Sequence, residues 1–259
     1  MSNLSLLDFG KRLLDTNDLD PVYVLIHESN LNENQIRKWL LAYFCFYHVG
    51  TSSWIIDQNS YWGAMLKAAG SKDYPWCRER RHFRGLNALK SVTYLKNQGL
   101  ESLFKPLINP NPVSVGDIMS YVQTWVGFGP WIAFKVADFI ERLGLAQVQF
   151  YEGSIFMFDS PRKGATLAWK IINKDQAPVN QDSWAVNYLT EGLKSYLAPP
   201  SYDRPIGLQE AETVLCKWHS YMGGHYKLNE DVEAIPHALA CFNTKTCKKL
   251  TKVYDQYLR

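Results

Sequence analysis

The sequence predicts a mainly α fold, an orthogonal helical bundle, and three features of the chain carry that expectation. Apolar residues recur at helical spacing through most of the length. Glycine, proline and short polar runs interrupt the pattern at intervals that suit helices. Residues 114 to 144 read as two amphipathic helices joined by a glycine-rich turn. With 259 residues, 46% of them hydrophobic, the chain can bury a sizeable core. Neither an internal repeat nor a low-complexity linker marks a boundary, so residues 1–259 are expected to form a single helical domain.

Residues 34 to 49 (NQIRKWLLAYFCFYHV) place Trp39, Leu40, Tyr43 and Phe44 at helical spacing, the mark of a central, largely buried helix. Gly50-Thr51-Ser52-Ser53 is expected to break it, with a further helix from Trp54 to Leu66. A polar turn at Gly70 to Pro75 leads to a basic cluster, Arg78-Glu79-Arg80-Arg81-His82-Phe83-Arg84. Leu86 to Gln98 reads as a helix stopped by Gly99, and the segment around Pro110 and Pro112 as a loop. Ser114, with Asp117 three residues on, starts the next helix as a capping-box variant, and Ile118, Tyr121, Val122 and Trp125 form its apolar face. Val126 to Pro130 ends that helix, and a second runs from Trp131 to Leu143 with Ala133, Val136, Ala137 and Ile140 on one face. Val148 to Phe158 fits a strand or a mixture of extended loop and short helix. Helices are expected over Lys163–Ile172, Asp182–Leu197, Leu208–Tyr221, Asp231–Leu239 and Thr246–Leu258.

The formal net charge is only +3, so any nucleic-acid contact must come from basic residues gathered locally. The start of the chain, MSNLSLLDFGKRLLD, holds no apolar run of signal-peptide length, and no stretch approaches the roughly 20 apolar residues of a membrane span. Five cysteines without framework spacing read as reduced thiols, and a cytoplasmic location is expected. There is no P-loop and no G-x-G-x-x-G, so neither ATP nor a dinucleotide is implied, and no cofactor is expected. Cys216, His219 and His225 lack a clear fourth metal ligand, although His237 or Cys241 could be imagined; no metal is expected, and Trp218, Tyr221 and Tyr226 are expected to pack the core or wall a pocket.

The turn Val126-Gly127-Phe128-Gly129-Pro130 is the most informative segment. Its glycines permit positive φ and close approach of a partner to the backbone. Amides at the start of the following helix favour a phosphate oxygen, both as unpaired donors and through the helix dipole. Pro130 has no amide, so Gly127, Gly129 and Trp131, then Ile132, are the expected donors, with Phe128 packed beneath and Lys135 one turn further in. The arrangement resembles the helix-hairpin-helix of the DNA glycosylase superfamily, which grips duplex DNA while a nucleotide is flipped out. That resemblance implies a catalytic carboxylate after the second helix. Glu152 stands near that position, with Asp159 next. It also implies a nucleophilic lysine just after the second glycine in bifunctional members. Pro130-Trp131 stands there instead, so lyase chemistry is not supported. Only Cys241 and Cys247 are available where the iron–sulfur subgroup has four cysteines.

A closer resemblance is to phage enzymes that hypermodify thymine in DNA, the amino acid:DNA transferases and their relatives the α-glutamyl/putrescinyl-thymine pyrophosphorylases. It rests on WVGFGPWIAFKVADFIERLG (125 to 144), YPWCRERRHFRG (74 to 85) and ETVLCKWHSYMGGHY (212 to 226). The resemblance implies double-stranded DNA carrying phosphorylated 5-hydroxymethyluracil as substrate, an amino acid or polyamine as co-substrate, and the host cytoplasm as location. An amine displaces phosphate or diphosphate at the 5-methylene carbon, and the glycosidic bond is untouched.

That reaction asks for an extruded base, for cations on the leaving phosphate and for a group that deprotonates the amine. Arg78, Arg80, Arg81, His82 and Arg84 form the densest positive charge and are the phosphate-binding candidates, for either the leaving group or the DNA backbone. Glu152, His48 and Asp57 are the catalytic candidates, as proton acceptor or amine-binding group. A monofunctional glycosylase using the same hairpin and Glu152, and a non-enzymatic DNA-binding protein, remain as alternatives.

Overall fold

The computed structural model describes residues 4–77, 80, 83–174 and 180–259. Among them the fold is mainly α, with fifteen helices and two two-residue strands. The chain opens with α1 (Leu6–Asp15), α2 (Pro21–His27), α3 (Glu33–Phe46), α4 (Val49–Ile56) and α5 (Tyr61–Gly70). It continues through α6 (Gly85–Gln98), α7 (Leu100–Phe104), β1 (Val113–Ser114), α8 (Val115–Val122), α9 (Pro130–Arg142) and β2 (Val148–Gln149). The remainder is α10 (Glu152–Ile155), α11 (Asp159–Ile172), α12 (Gln181–Gly192), α13 (Leu208–Met222), α14 (Glu230–Ala240) and α15 (Lys245–Tyr257).

These residues group into two compact units, one of residues 1–24 and 149–233 and the other of residues 25–148 and 234–259. In the first, α11 lies so close to α13 that a Cβ at Gly164 would stand 2.4 Å from the Leu215 carbonyl oxygen. Asp18 ties this unit together. Its buried carboxylate accepts the Tyr226 hydroxyl and the backbone amides of Asn229 and Val232, the last at 3.0 Å. Burial raises the pKa of this carboxyl group despite the Lys217 ammonium nearby.

The second unit is built on α3, the central helix expected from the sequence. Asn32 and Gln35 close a capping box at its start, and every residue from Trp39 to Phe46 is buried. The chain turns at Tyr47, which is left-handed at φ 50°. The next segment differs from expectation. Gly50-Thr51-Ser52-Ser53 is not a break but the interior of α4; the break falls earlier, at Tyr47-His48, and a second one, between Ile56 and Tyr61, divides the helix expected over Trp54–Leu66. Gly50 serves packing here, since a Cβ would stand 1.9 Å from the Ala238 carbonyl oxygen of α14. Ser52 and Ser53 return their hydroxyls to the carbonyls of His48 and Val49, which lets polar side chains stay fully buried in a helix. The uncertain segment at 148 to 158 resolves into β2 followed by the single turn of α10.

Candidate functional site: the helical hairpin pocket

The hairpin is formed by α8 and α9. Ser114 caps α8, its Oγ accepting the Asp117 amide at 3.1 Å and donating to the Asp117 carboxylate at 2.7 Å. Ile118, Val122 and Trp125 are buried as the apolar spacing predicts, and Ala133, Val136, Ala137 and Ile140 do the same for α9. Phe128 packs beneath the turn, edge-on to Trp125 at 5.2 Å and to Phe83 at 6.5 Å.

The two glycines of the turn serve different ends. Gly127 sits at φ 83°, where a side chain is strained, and a Cβ would meet the Ser91 Oγ at 3.3 Å. Gly129 has ordinary extended backbone, φ −89°, and open space where a Cβ would be. Its missing side chain therefore clears the approach to α9 rather than permitting the fold. Among the described residues no side chain caps α9; no acidic residue lies in its first turn, and Pro130 occupies its start. The amides of Trp131 and Ile132 in this turn have no intrahelical acceptor.

The carbonyls of the turn are tied inward. Ser91 Oγ of α6 donates to the Val126 oxygen at 2.5 Å, and Arg80 Nη1 donates to the Gly127 oxygen at 3.3 Å. The Val126 and Gly127 carbonyls are thereby engaged within the protein. Arg80 is 7% exposed; its Nε reaches the Cys45 oxygen at 3.2 Å, and its guanidinium lies 4.6 Å from the Phe83 ring centre and 5.0 Å from that of Phe128. Burial lowers its pKa to about 10, which leaves it charged at neutral pH. Its Nη2 is buried without a hydrogen-bond partner among the described residues.

Above this arginine opens a pocket of about 460 Å³ lined by Arg80, Asn87, Lys90, Gly127, Gly129 and Trp131, among others. Asn87 belongs to the first turn of α6, which like α9 has no side-chain cap among the described residues and no acidic residue in that turn. The N-terminal turn of α9 and the Asn87–Lys90 face of α6 thus line one pocket, together with the buried Arg80. Such donors and dipoles are complementary to an oxygen anion.

The other residues singled out from the sequence are placed as follows. Arg78, Arg81 and His82 lie outside the described residues. Arg84 is exposed and held over the Trp76 ring, 4.3 Å from its centre. Lys135 approaches the buried Asp138 at 3.7 Å and does not line the pocket; Lys90, which the sequence reading passed over, does. Its signal was present, since it stands three residues after Asn87 on the same helix face. Trp131 leans on Tyr47, with ring centres 5.1 Å apart.

His48 caps α4, its Nδ1 accepting the Thr51 amide at 3.0 Å. Burial lowers its pKa to about 4. At neutral pH the ring is therefore uncharged and, with Nδ1 accepting, carries its proton on Nε2. Asp57 holds the start of α15, accepting the Thr246 amide at 2.6 Å and the Thr246 hydroxyl at 2.7 Å. In the other unit, Glu152 accepts the Ser183 hydroxyl at the start of α12. Asp182 beside it has its pKa raised, first by desolvation and further by the Glu152 charge, against the pull of Arg162 at 3.7 Å. The three catalytic candidates thus sit in three separate hydrogen-bonded settings.

A mainly helical protein whose hairpin turns a helix N-terminus and cations into an open pocket is equipped to take up a polyanion. The chain belongs to the amino acid:DNA transferase family, whose sequence profile matches residues 14–226. It is 35% identical to the glycinyltransferase of Pseudomonas phage PaMx11, over 91% of this chain and 90% of that protein. It is 24% identical to the putrescinyltransferase of Delftia phage PhiW-14, over 85% of this chain and 74% of that protein. The chain is thus a transferase that acts on DNA. Among the described residues no helix is long and apolar enough to cross a membrane.

Proposed function

We propose that this transferase joins the amine of an amino acid, glycine foremost, to the 5-methylene carbon of phosphorylated 5-hydroxymethyluracil in duplex DNA. The C–O bond of the phosphorylated hydroxymethyl group breaks, and its electron pair leaves with phosphate or diphosphate. A C–N bond forms at the same carbon, and the amine loses a proton. The family supports the transfer to DNA, and the greater identity to a glycinyltransferase than to a putrescinyltransferase supports an amino acid as donor. The observation that carries the DNA-binding half of the reading is the pocket where the N-terminal turn of α9 meets Asn87, Lys90 and Arg80. A backbone phosphate there would receive the amides of Gly129, Trp131 and Ile132 and the Lys90 ammonium.

Arg84, with Arg78, Arg81 and His82 of the same basic segment, is assigned to phosphate, whether of the backbone or of the leaving group. Glu152 is assigned as acceptor of the amine proton. A carboxylate already engaged by a serine hydroxyl is held in place for that task. Incubation of the protein with duplex DNA carrying 5-phosphomethyluracil, or its diphosphate, and glycine tests the reading, with digested nucleosides analysed by mass. The expected product is a nucleoside heavier by glycine and lacking phosphate. Free base with abasic sites, or unchanged nucleoside, overturns it. Glu152→Gln is expected to lower kcat at least a hundredfold while DNA affinity stays within twofold of wild type.

A further inference from the structure

The 5-carbon of thymine already faces the major groove, so access to the reacting atom does not by itself require the base to leave the duplex. What the protein does to the base stack must be read from its surface. Leu86 is 76% exposed, the most exposed large hydrophobic side chain among the described residues. Single exposed leucines are common and ordinarily mean nothing. This one has an uncommon position. It lies in the first turn of α6, adjacent to Asn87 and one turn before Lys90, both of which line the hairpin pocket. On its other side Arg84 is fixed over Trp76, and across the pocket the hairpin presents Val126, 43% exposed.

An apolar tip flanked by cations has a restricted choice of partner. The cations require a polyanion, yet a phosphate backbone gains nothing from a leucine. Duplex DNA offers both chemistries, with phosphates outside and apolar base faces inside. Apolar side chains entering between base steps are a recurrent way to open a stack. We propose that Leu86 is a positioning residue that enters the base stack beside the reacting nucleotide, displacing that base while Lys90 and the N-terminal turn of α9 hold the backbone. The inference rests on the reading of the hairpin pocket as the DNA-backbone site.

The test uses the full chain with duplexes carrying 2-aminopurine next to the reacting base, whose fluorescence rises when the stack opens. Wild-type protein is expected to raise the signal and Leu86→Ala to abolish the rise, with duplex affinity within threefold of wild type. On paired substrate, Leu86→Ala is expected to lose roughly tenfold to a hundredfold in kcat/KM, the range set by burying one leucine. On a substrate whose reacting base is unpaired in a bulge, the variant is expected to match wild type, because opening costs little there. Leu86→Met is expected to restore both readouts. A signal unchanged by Leu86→Ala, or an equal loss on paired and bulged substrates, overturns the proposal. Lys90→Ala separates the two layers. If it leaves DNA binding unchanged, the hairpin face is misassigned and the inference falls with it. If it weakens binding but wild type raises no fluorescence, only the role of Leu86 falls.

Discussion

Gly127 and Gly129 have different reasons to lack a side chain, and substitution should separate them. At φ 83° and against Ser91, Gly127→Ala is expected to cost about 1–2 kcal/mol of stability, read as a lower urea midpoint. Gly129→Ala meets open space at an ordinary φ, so stability should change by less than about 0.5 kcal/mol. Its methyl would instead obstruct an incoming phosphate, and duplex affinity should fall at least fivefold in an anisotropy titration. His48 gives a prediction in pH. Its folded pKa, about 4, lies below the unfolded value of 6.5, so the unfolded chain binds the proton more readily. Stability from this group is complete above 6.5 and is lost as pH falls toward 4, by on the order of 2–3 kcal/mol. His48→Asn keeps an N-cap acceptor for Thr51 and removes the titration, so its urea midpoint should fall less than that of wild type over this window. At this scale the sequence was only partly readable. Arg80 stood in a run of charges expected to meet phosphate, but its guanidinium is enclosed by Phe83 and Phe128 and bonds the Cys45 and Gly127 carbonyls. Lys135 looked free for DNA, although the Asp138 that it approaches stands three residues on and could have been seen.

At the scale of elements, the hairpin was the most legible part of the chain because its signals are local. The Ser114 cap, the glycine turn, Pro130 at a helix start and two apolar faces all lie within one continuous segment. The boundary of α3 and α4 was misread for the opposite reason. Gly50 is required by the Ala238 carbonyl, contributed by a helix far along the chain, and no local pattern reports that contact. Among the described residues, the bare starts of α6 and α9 stand out only beside α1, α3 and α8, whose Ser5, Asn32 and Ser114 caps are all engaged. Arg80 joins the hairpin to the end of α3 through the Gly127 and Cys45 carbonyls. Arg80→Met would strip both of a charged donor while keeping much of the volume. It is expected to destabilise the protein by about 2–3 kcal/mol and to raise amide hydrogen exchange around the turn before that of α9.

Across the whole molecule, a net charge of +3 is too small to hold DNA by general attraction, so binding must draw on a few placed cations. Removing one phosphate contact with Lys90→Ala should therefore weaken duplex binding and reduce the slope of log affinity against log salt by about 0.9. The mainly α class was legible from periodicity along the chain, as was the family from the hairpin and the segments 74 to 85 and 212 to 226. The partition into two compact units was not, because no composition shift or linker accompanies it.

The proposed reaction is displacement of phosphate from carbon by an amine. It is tested most directly with duplex substrate carrying oxygen-18 in the bridge between the 5-methylene carbon and phosphorus. After reaction with glycine, the released phosphate or diphosphate is expected to carry the label and the methylene carbon to bear nitrogen. Label retained on a 5-hydroxymethyl group, with unlabelled phosphate released, would mean cleavage at phosphorus by water and would rule out displacement at carbon.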